Sequence, residues 1–214
     1  MSSKQKSDTN TQTSNESNFN LSIQILTKSE RDLAIIIEQF GNPPEWKREP
    51  GFATLIRTIL GQQVSFASAK ATFKRLSNAV NPLTPQNFIL LDDMQLKSLG
   101  LSRQKTRYGR ELANAIISKQ LDLKHLEKLD DLTIRNKLKQ IKGIGDWTVD
   151  MYLMMALQRQ DIFPSKDLAV AIAVKEIKNL PTRPKPAELE LIAQPWQPYR
   201  AIATKILWHY YLNR

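Results

Sequence analysis

From residue 27 onward the apolar residues of this chain recur at three- and four-residue intervals, and almost nothing alternates. That spacing gathers apolar side chains along one stripe of a helix, so it restricts the chain to an all-α fold. Thr27-Lys28-Ser29-Glu30 reads as a capping box, followed by Leu33, Ile36, Ile37 and Phe40 on one face and Gly41 as terminator. Asn42-Pro43-Pro44 breaks the chain. A second helix starts near Gly51 with Phe52, Leu55, Ile56, Ile59 and Leu60 on its face, and a third carries Phe66, Ala69, Phe73, Leu76 and Val80. Thr84-Pro85 pairs an N-cap with proline at the first helical position. Asp92 opens a short helix closed by Gly100, and Ser102 opens another that buries Tyr108, Leu112, Ala115 and Ile116. Further helices are predicted over 131–141, 146–158, 168–179, 187–193 and 198–212. The one exception is Leu21–Ile25, which reads as a short extended edge piece. Residues 1–20 are too polar to fold and read as a disordered tail.

Composition excludes more than it suggests. The chain has no cysteine, which removes disulfides, thiolate-bound zinc, iron–sulfur clusters and thiol nucleophiles together. Its two histidines stand far apart. With 41% hydrophobic residues the chain can build a core, yet its longest apolar runs, such as Leu168–Val174, are too short to span a bilayer. No signal-peptide pattern opens the sequence, so the expectation is a protein that is not secreted. The formal charge is +10, and residues 101–145 alone hold 11 basic against 5 acidic side chains. Charge concentrated in this way suggests a patch for an anionic partner, nucleic acid first and a membrane surface second.

The densest information lies in Leu138-Lys139-Gln140-Ile141-Lys142-Gly143-Ile144-Gly145-Asp146-Trp147-Thr148-Val149. A helix ends near Ile141, the chain turns through two glycines that permit positive φ, and a second helix starts near Asp146. Amides at such a helix start face outward with the positive end of the dipole, which makes a phosphate cradle. An ordinary αα-hairpin turn explains the same glycines. Lysines at 137, 139 and 142 tilt the reading toward phosphate, and a backbone contact of this kind positions a protein without reading base sequence. Some twenty residues on comes Asp161-Ile162-Phe163-Pro164-Ser165-Lys166-Asp167, leading into an apolar helix. Asp167 is a favoured N-cap, and it is also an anion fixed by a helix dipole, suited to a reaction that develops positive charge.

Gly143-Ile144-Gly145 with Trp147-Thr148, then Phe163-Pro164 and Asp167, resembles the helix-hairpin-helix DNA glycosylase superfamily, in particular its alkylpurine branch, the 3-methyladenine DNA glycosylase II group. Ile59-Leu60-Gly61-Gln62-Gln63-Val64-Ser65, Leu99-Gly100-Leu101-Ser102 with Lys105 and Tyr108, and Trp196-Gln197-Pro198-Tyr199-Arg200 leading to Trp208 extend the likeness to about 28–212. The hairpin alone is weakly specific; these elements in this order are strongly specific.

The resemblance implies an all-α, two-lobed fold with the active cleft between lobes. One lobe would hold 21–65 and 167–214, the other 66–166 with the helix-hairpin-helix at about 131–158. It implies a monofunctional glycosylase that flips alkylated purines (3-methyladenine, 7-methylguanine and other modified purines) out of duplex DNA and hydrolyses their N-glycosidic bond. Asp167 would be catalytic. Trp147, Trp208, Gln62, Met151 and Leu168 would line the base pocket, and Gln63 would enter the DNA. Lys142, Gly143, Ile144, Gly145 and Thr148 would bind phosphate, and the main-chain carbonyls of Lys139, Ile141 and Ile144 would hold sodium or potassium; no other cofactor is implied. Relatives that also cleave the strand have a lysine where this chain has Trp147, so no β-lyase activity is expected. Met151 replaces a pocket tyrosine, and the chain is too short for the extra N-terminal β-rich domain of larger members. A monomer acting on the chromosome is implied, in the cytoplasm of a prokaryote or the nucleus of a eukaryote. The alternative is a non-catalytic protein that holds DNA backbone and nothing more.

Overall fold

The computed structural model describes residues 18–214, and among these there are helices and no strand. In chain order they are α1 (18–29), α2 (Arg31–Phe40), α3 (Phe52–Gly61), α4 (Phe66–Ala79), α5 (Pro85–Ile89), α6 (Asp93–Ser98), α7 (Arg103–Ile117), α8 (Leu123–Leu126), α9 (Asp131–Lys139), α10 (Asp146–Met155), α11 (Leu168–Ile177), α12 (Pro186–Ile192), a 3-10 turn at Gln194–Trp196, and α13 (Arg200–Asn213). Most starts carry the cap the sequence offers. Ser65, Thr84, Asp92, Ser102, Asp122, Asp130 and Asp167 each accept a hydrogen bond from an amide of their own first turn.

The chain divides into two compact units, one formed by the described residues 18–46 with Arg159–Arg214, the other by Lys47–Gln158. These boundaries differ from those expected at 65/66 and 166/167. The reason is packing: α3 lies against α4, α7 and α10, so it belongs with the middle of the chain. Residues 159–166 are tied to α13 instead, by the Arg200 guanidinium on the Asp161 carboxylate (2.7 and 3.0 Å) and by the Ala201 amide on the Gln160 carbonyl.

In the first unit α13 packs against α2 and α11. Every residue of α13 from Ala201 to Trp208 is buried, as expected of a helix enclosed on all sides. Leu33 and Ile36 of α2 and Val170, Ala173 and Val174 of α11 complete this core. The sequence reading fails at the N-terminal end in two places. Leu21–Ile25 is helical rather than extended, and residues 18–20 belong to the same helix, while 1–17 of the expected tail lie outside the described residues. The capping box at 27–30 also does not form. Thr27 and Ser29 sit inside α1, where their hydroxyls donate back to the Ile23 and Leu26 carbonyls, so Glu30 becomes the N-cap of α2 without a side-chain bond. Such back-bonding competes directly with capping.

In the second unit the expected face of α3 is the core: Phe52, Leu55, Ile56, Ile59 and Leu60 are all buried. Phe52 meets Phe88 edge to face at 5.7 Å. Tyr152 of α10 is fully buried with its hydroxyl accepting from the Gly51 amide, and burial pushes its pKa up to about 12.

Candidate functional site

The hairpin between α9 and α10 folds because one of its glycines is compelled and the other is open. Gly143 has φ +94, and a Cβ there would overlap the Tyr108 ring of α7. Gly145 departs from expectation: its φ is −103, ordinary extended backbone, and it is the N-cap of α10. A Cβ at Gly145 would meet nothing within 4 Å. One glycine therefore makes the turn, and the other leaves bare backbone at a helix start. The Ile144 amide closes the turn on the Ile141 carbonyl (3.0 Å).

Of the expected phosphate ligands, Lys142 is exposed, whereas Ile144 and Thr148 are buried at 4% and 1% exposure. Ile144 can therefore offer only its backbone. The Thr148 hydroxyl accepts a hydrogen bond from Gln62 Nε2 (2.9 Å), and the same amide nitrogen donates to the Gly143 carbonyl (2.8 Å). Gln62, expected in a base pocket, braces the hairpin as a strut through its amide nitrogen. Leucine at 62 strips two acceptors of a donor, at about 1–3 kcal/mol each. Gln62→Leu is expected to lower the melting temperature by roughly 2–4 °C per kcal/mol lost and to weaken undamaged-duplex binding several-fold, read by thermal melting and fluorescence anisotropy.

The hairpin's own charges are arranged around Arg135, which sequence reading missed. Its guanidinium lies 2.6 Å from the buried Asp150 carboxylate and 3.8 Å from Asp146, and Lys139 Nζ lies 2.6 Å from Asp146. These pairs bind the two helices of the hairpin together. They also engage Lys139, one of the three lysines counted toward phosphate.

Gln63 follows directly on the strut. It is exposed and left-handed at φ +56, a conformation that costs a non-glycine residue about 1–2 kcal/mol and is found where surrounding structure imposes it. The Lys105 ammonium donates to the Leu60 carbonyl at 2.6 Å and holds the end of α3, and burial moves its pKa below the ordinary value. Trp147 is half-buried over Gly61, where a Cβ would stand 3.6 Å from the indole. Met151, one turn along α10, is buried.

In the first unit Asp167 caps α11. Its Oδ1 accepts from the Val170 amide (3.0 Å) and from Trp208 Nε1 (3.2 Å), and the residue is 8% exposed. Trp208, expected as a wall of the base pocket, is a buried residue whose ring N–H orients this carboxylate. The Trp46 ring meets it edge-on at 5.9 Å. Trp46 has φ +48 and follows the Pro43-Pro44 break; an aromatic residue just past a chain break is the signal the sequence offers for it. Leu168, also assigned to the pocket, is 56% exposed.

Thus one unit presents bare helix-start backbone beside an exposed, strained glutamine, and the other presents a carboxylate gripped from two sides. Residues 56–198 match the HhH-GPD superfamily base excision DNA repair proteins. The chain belongs to that superfamily. It is 32% identical over 166 residues to DNA-3-methyladenine glycosylase 1 of Schizosaccharomyces pombe, covering 76% of this chain and 72% of that protein. With the alkylbase DNA glycosidase-like protein mag2 of the same yeast it shares 30% identity over 159 residues, 72% of this chain and 75% of the relative. The structure of the S. pombe 3-methyladenine DNA glycosylase Mag1 with abasic DNA superimposes with a TM-score of 0.83 at 27% identity, covering 87% of this chain and 94% of that one. The hairpin, Trp147 and Asp167 all fall inside the stretch that matches the HhH-GPD superfamily.

Proposed function

We propose that this HhH-GPD protein is a monofunctional DNA glycosylase that releases alkylated purines, such as 3-methyladenine and 7-methylguanine, from duplex DNA. The observation that carries this is Asp167, held by the α11 N-terminus and by the Trp208 N–H. An N-cap needs only the first of these bonds. A second donor, from a helix 41 residues away in sequence, anchors the same carboxylate oxygen. The S. pombe relatives named for 3-methyladenine glycosylase activity support the substrate class.

The chemistry suits these residues. As the C1′–N bond breaks, its electron pair passes to the purine, and the sugar becomes oxocarbenium-like. A base alkylated on a ring nitrogen is already cationic, so it departs neutral without a general acid. Asp167 opposes the developing positive charge on the sugar and orients the water that adds to C1′. Trp147 offers an indole where strand-cleaving relatives need an amine, so the abasic strand stays unbroken. The target base leaves the stack at a cost of a few kcal/mol, which Gln63 offsets by filling the gap.

Duplex DNA would be held by backbone at Gly143–Gly145 with Lys142 beside it. The carbonyls of Lys139, Ile141 and Ile144 are oxygen donors of the kind a hard monovalent cation takes, and the Ile141 oxygen keeps a lone pair beyond its bond to the Ile144 amide. We place the protein as a monomer on the chromosome. Among the described residues no helix is long and apolar enough to cross a membrane.

The test is to incubate methylated duplex DNA with the protein and separate free bases from strands. Free 3-methyladenine with intact abasic strands is the expected result; strand breaks without alkali would refute monofunctional action, and absence of any released base would leave a backbone-binding protein. Affinity for undamaged duplex is expected to fall with salt, by about 0.9 log units per log unit for each phosphate neutralised.

A further inference from the structure

Helix α4 turns to solvent a face that the stability of the fold does not explain. Its buried side, Thr72 and Leu76, packs on α3. On the opposite side Phe66, Lys70 and Lys74 follow at four-residue intervals, each one turn beyond the last, and all three are exposed. The fourteen residues of α4 include Lys70, Lys74 and Arg75 but no Asp or Glu, whereas a helix face kept only for solubility mixes both signs. Arg75 is engaged, its Nε donating to the Leu99 carbonyl at 2.8 Å. Lys70 and Lys74 have no ion pair or hydrogen bond among the described residues. Neither stands in the last turn, where a cation would complement the helix dipole, and like charges four residues apart repel.

The place of this face in the chain points to its partner. From the strut at Gln62 the backbone passes through the exposed, left-handed Gln63 and enters α4 three residues later. Val64 and Phe66 are 44% and 52% exposed, so the strip leading away from Gln63 is first apolar and then cationic. A nucleic-acid strand is complementary to such a strip, with the apolar faces of sugars and bases lying beside a line of anions. The exposed side chains between the lysines are small, Ala67 and Ala71, so a strand can come close to the helix.

We propose that the Phe66–Lys70–Lys74 face of α4 is a second grip on duplex DNA, separate from the hairpin, with the two ammoniums on phosphates and the Phe66 ring against a sugar beside the gap that Gln63 fills. This rests on the function proposed above, which makes duplex DNA the substrate. The two grips work differently. The hairpin offers backbone at a helix start, whereas α4 offers mobile side-chain charges whose binding releases counterions one for one. The repulsion between Lys70 and Lys74 is relieved when each meets a phosphate, so the free protein carries a cost that the complex removes.

The experiment measures affinity for a duplex carrying tetrahydrofuran, an abasic analogue, across a series of salt concentrations, with thermal melting on the same preparations. In the Lys70→Gln/Lys74→Gln double variant the slope of log affinity against log salt is expected to become shallower by about 0.9 for each lysine. Its melting temperature should hold or rise slightly, because the like-charge pair is gone. Phe66→Ala is expected to lose affinity several-fold with the wild-type slope, since no charge is removed. Lys119→Gln is the control: it takes an exposed charge just past the far end of α7, about 20 Å along that helix from Lys105, which holds the end of α3, and should leave the slope unchanged. A wild-type slope in the double variant overturns the inference, as does wild-type affinity in Phe66→Ala, or an equal change of slope in the control. A fall in the double variant's melting temperature that parallels its loss of affinity also overturns it, by making the lysines structural. Release of methylated bases by the wild type is assayed separately. Its failure would overturn the glycosylase function while the slopes still decide the role of α4.

Discussion

Asp167→Asn is expected to slow base release by about a hundredfold to a thousandfold, while affinity for an abasic-analogue duplex changes less than about threefold. Asparagine retains an oxygen for the Val170 amide and for Trp208 Nε1, so α11 keeps its cap and the loop from Asp161 keeps its path. What disappears is the negative charge. A loss of rate with binding intact is the signature of an interaction made in the transition state alone. Equal rates for the two proteins would reduce Asp167 to a cap. The measurement is single-turnover release from methylated duplex, with affinity read by anisotropy on the same preparations.

Gly143→Val and Gly145→Glu are expected to separate the two jobs of the hairpin. Valine at 143 must adopt φ +94 and overlaps the Tyr108 ring. Left-handed backbone costs an L-residue about 1–2 kcal/mol and overpacking about 1–3 more, so this variant loses a large share of a stability of about 5–15 kcal/mol. Its duplex affinity falls because the turn itself opens. Glutamate at 145 enters open space, and a carboxylate in the first turn suits the dipole of α10, so its melting temperature holds. Its affinity for every duplex, damaged or not, should nonetheless fall about tenfold or more, since a phosphate now meets a like charge. Thermal melting and anisotropy on undamaged duplex distinguish the cases; intact binding by the Gly145 variant would remove the hairpin as a phosphate site.

The helices were legible in the sequence wherever an apolar stripe and a cap agreed, as at Asp92, Ser102 and Phe52–Leu60. They were illegible at 21–30, where hydroxyls that resemble caps bond backward inside a helix. Gly143 and Asp167 stood out because their neighbours in sequence define their roles. Arg135 and Trp46 did not, and Gln62 and Trp208 stood out by family resemblance without their bonds being foreseen, because the partners are distant along the chain and no local pattern shows that a glutamine amide or an indole N–H has an acceptor waiting for it. Gly145 marks the limit of reading glycine as a sign of unusual backbone: here the residue serves by lacking a side chain, with φ unremarkable.

The bond from Gln62 to the Gly143 carbonyl joins residues 81 apart in sequence, and Gln63 is the very next residue. If the hairpin holds DNA and Gln63 enters it, as proposed above, the distance from grip to wedge is a constant of the fold, set by one peptide unit and one hydrogen bond. Under that proposal, halting on the backbone and testing a base pair would be a single event. If Gln63 is the wedge proposed above, the interval at which the protein samples a genome is set by how it stops.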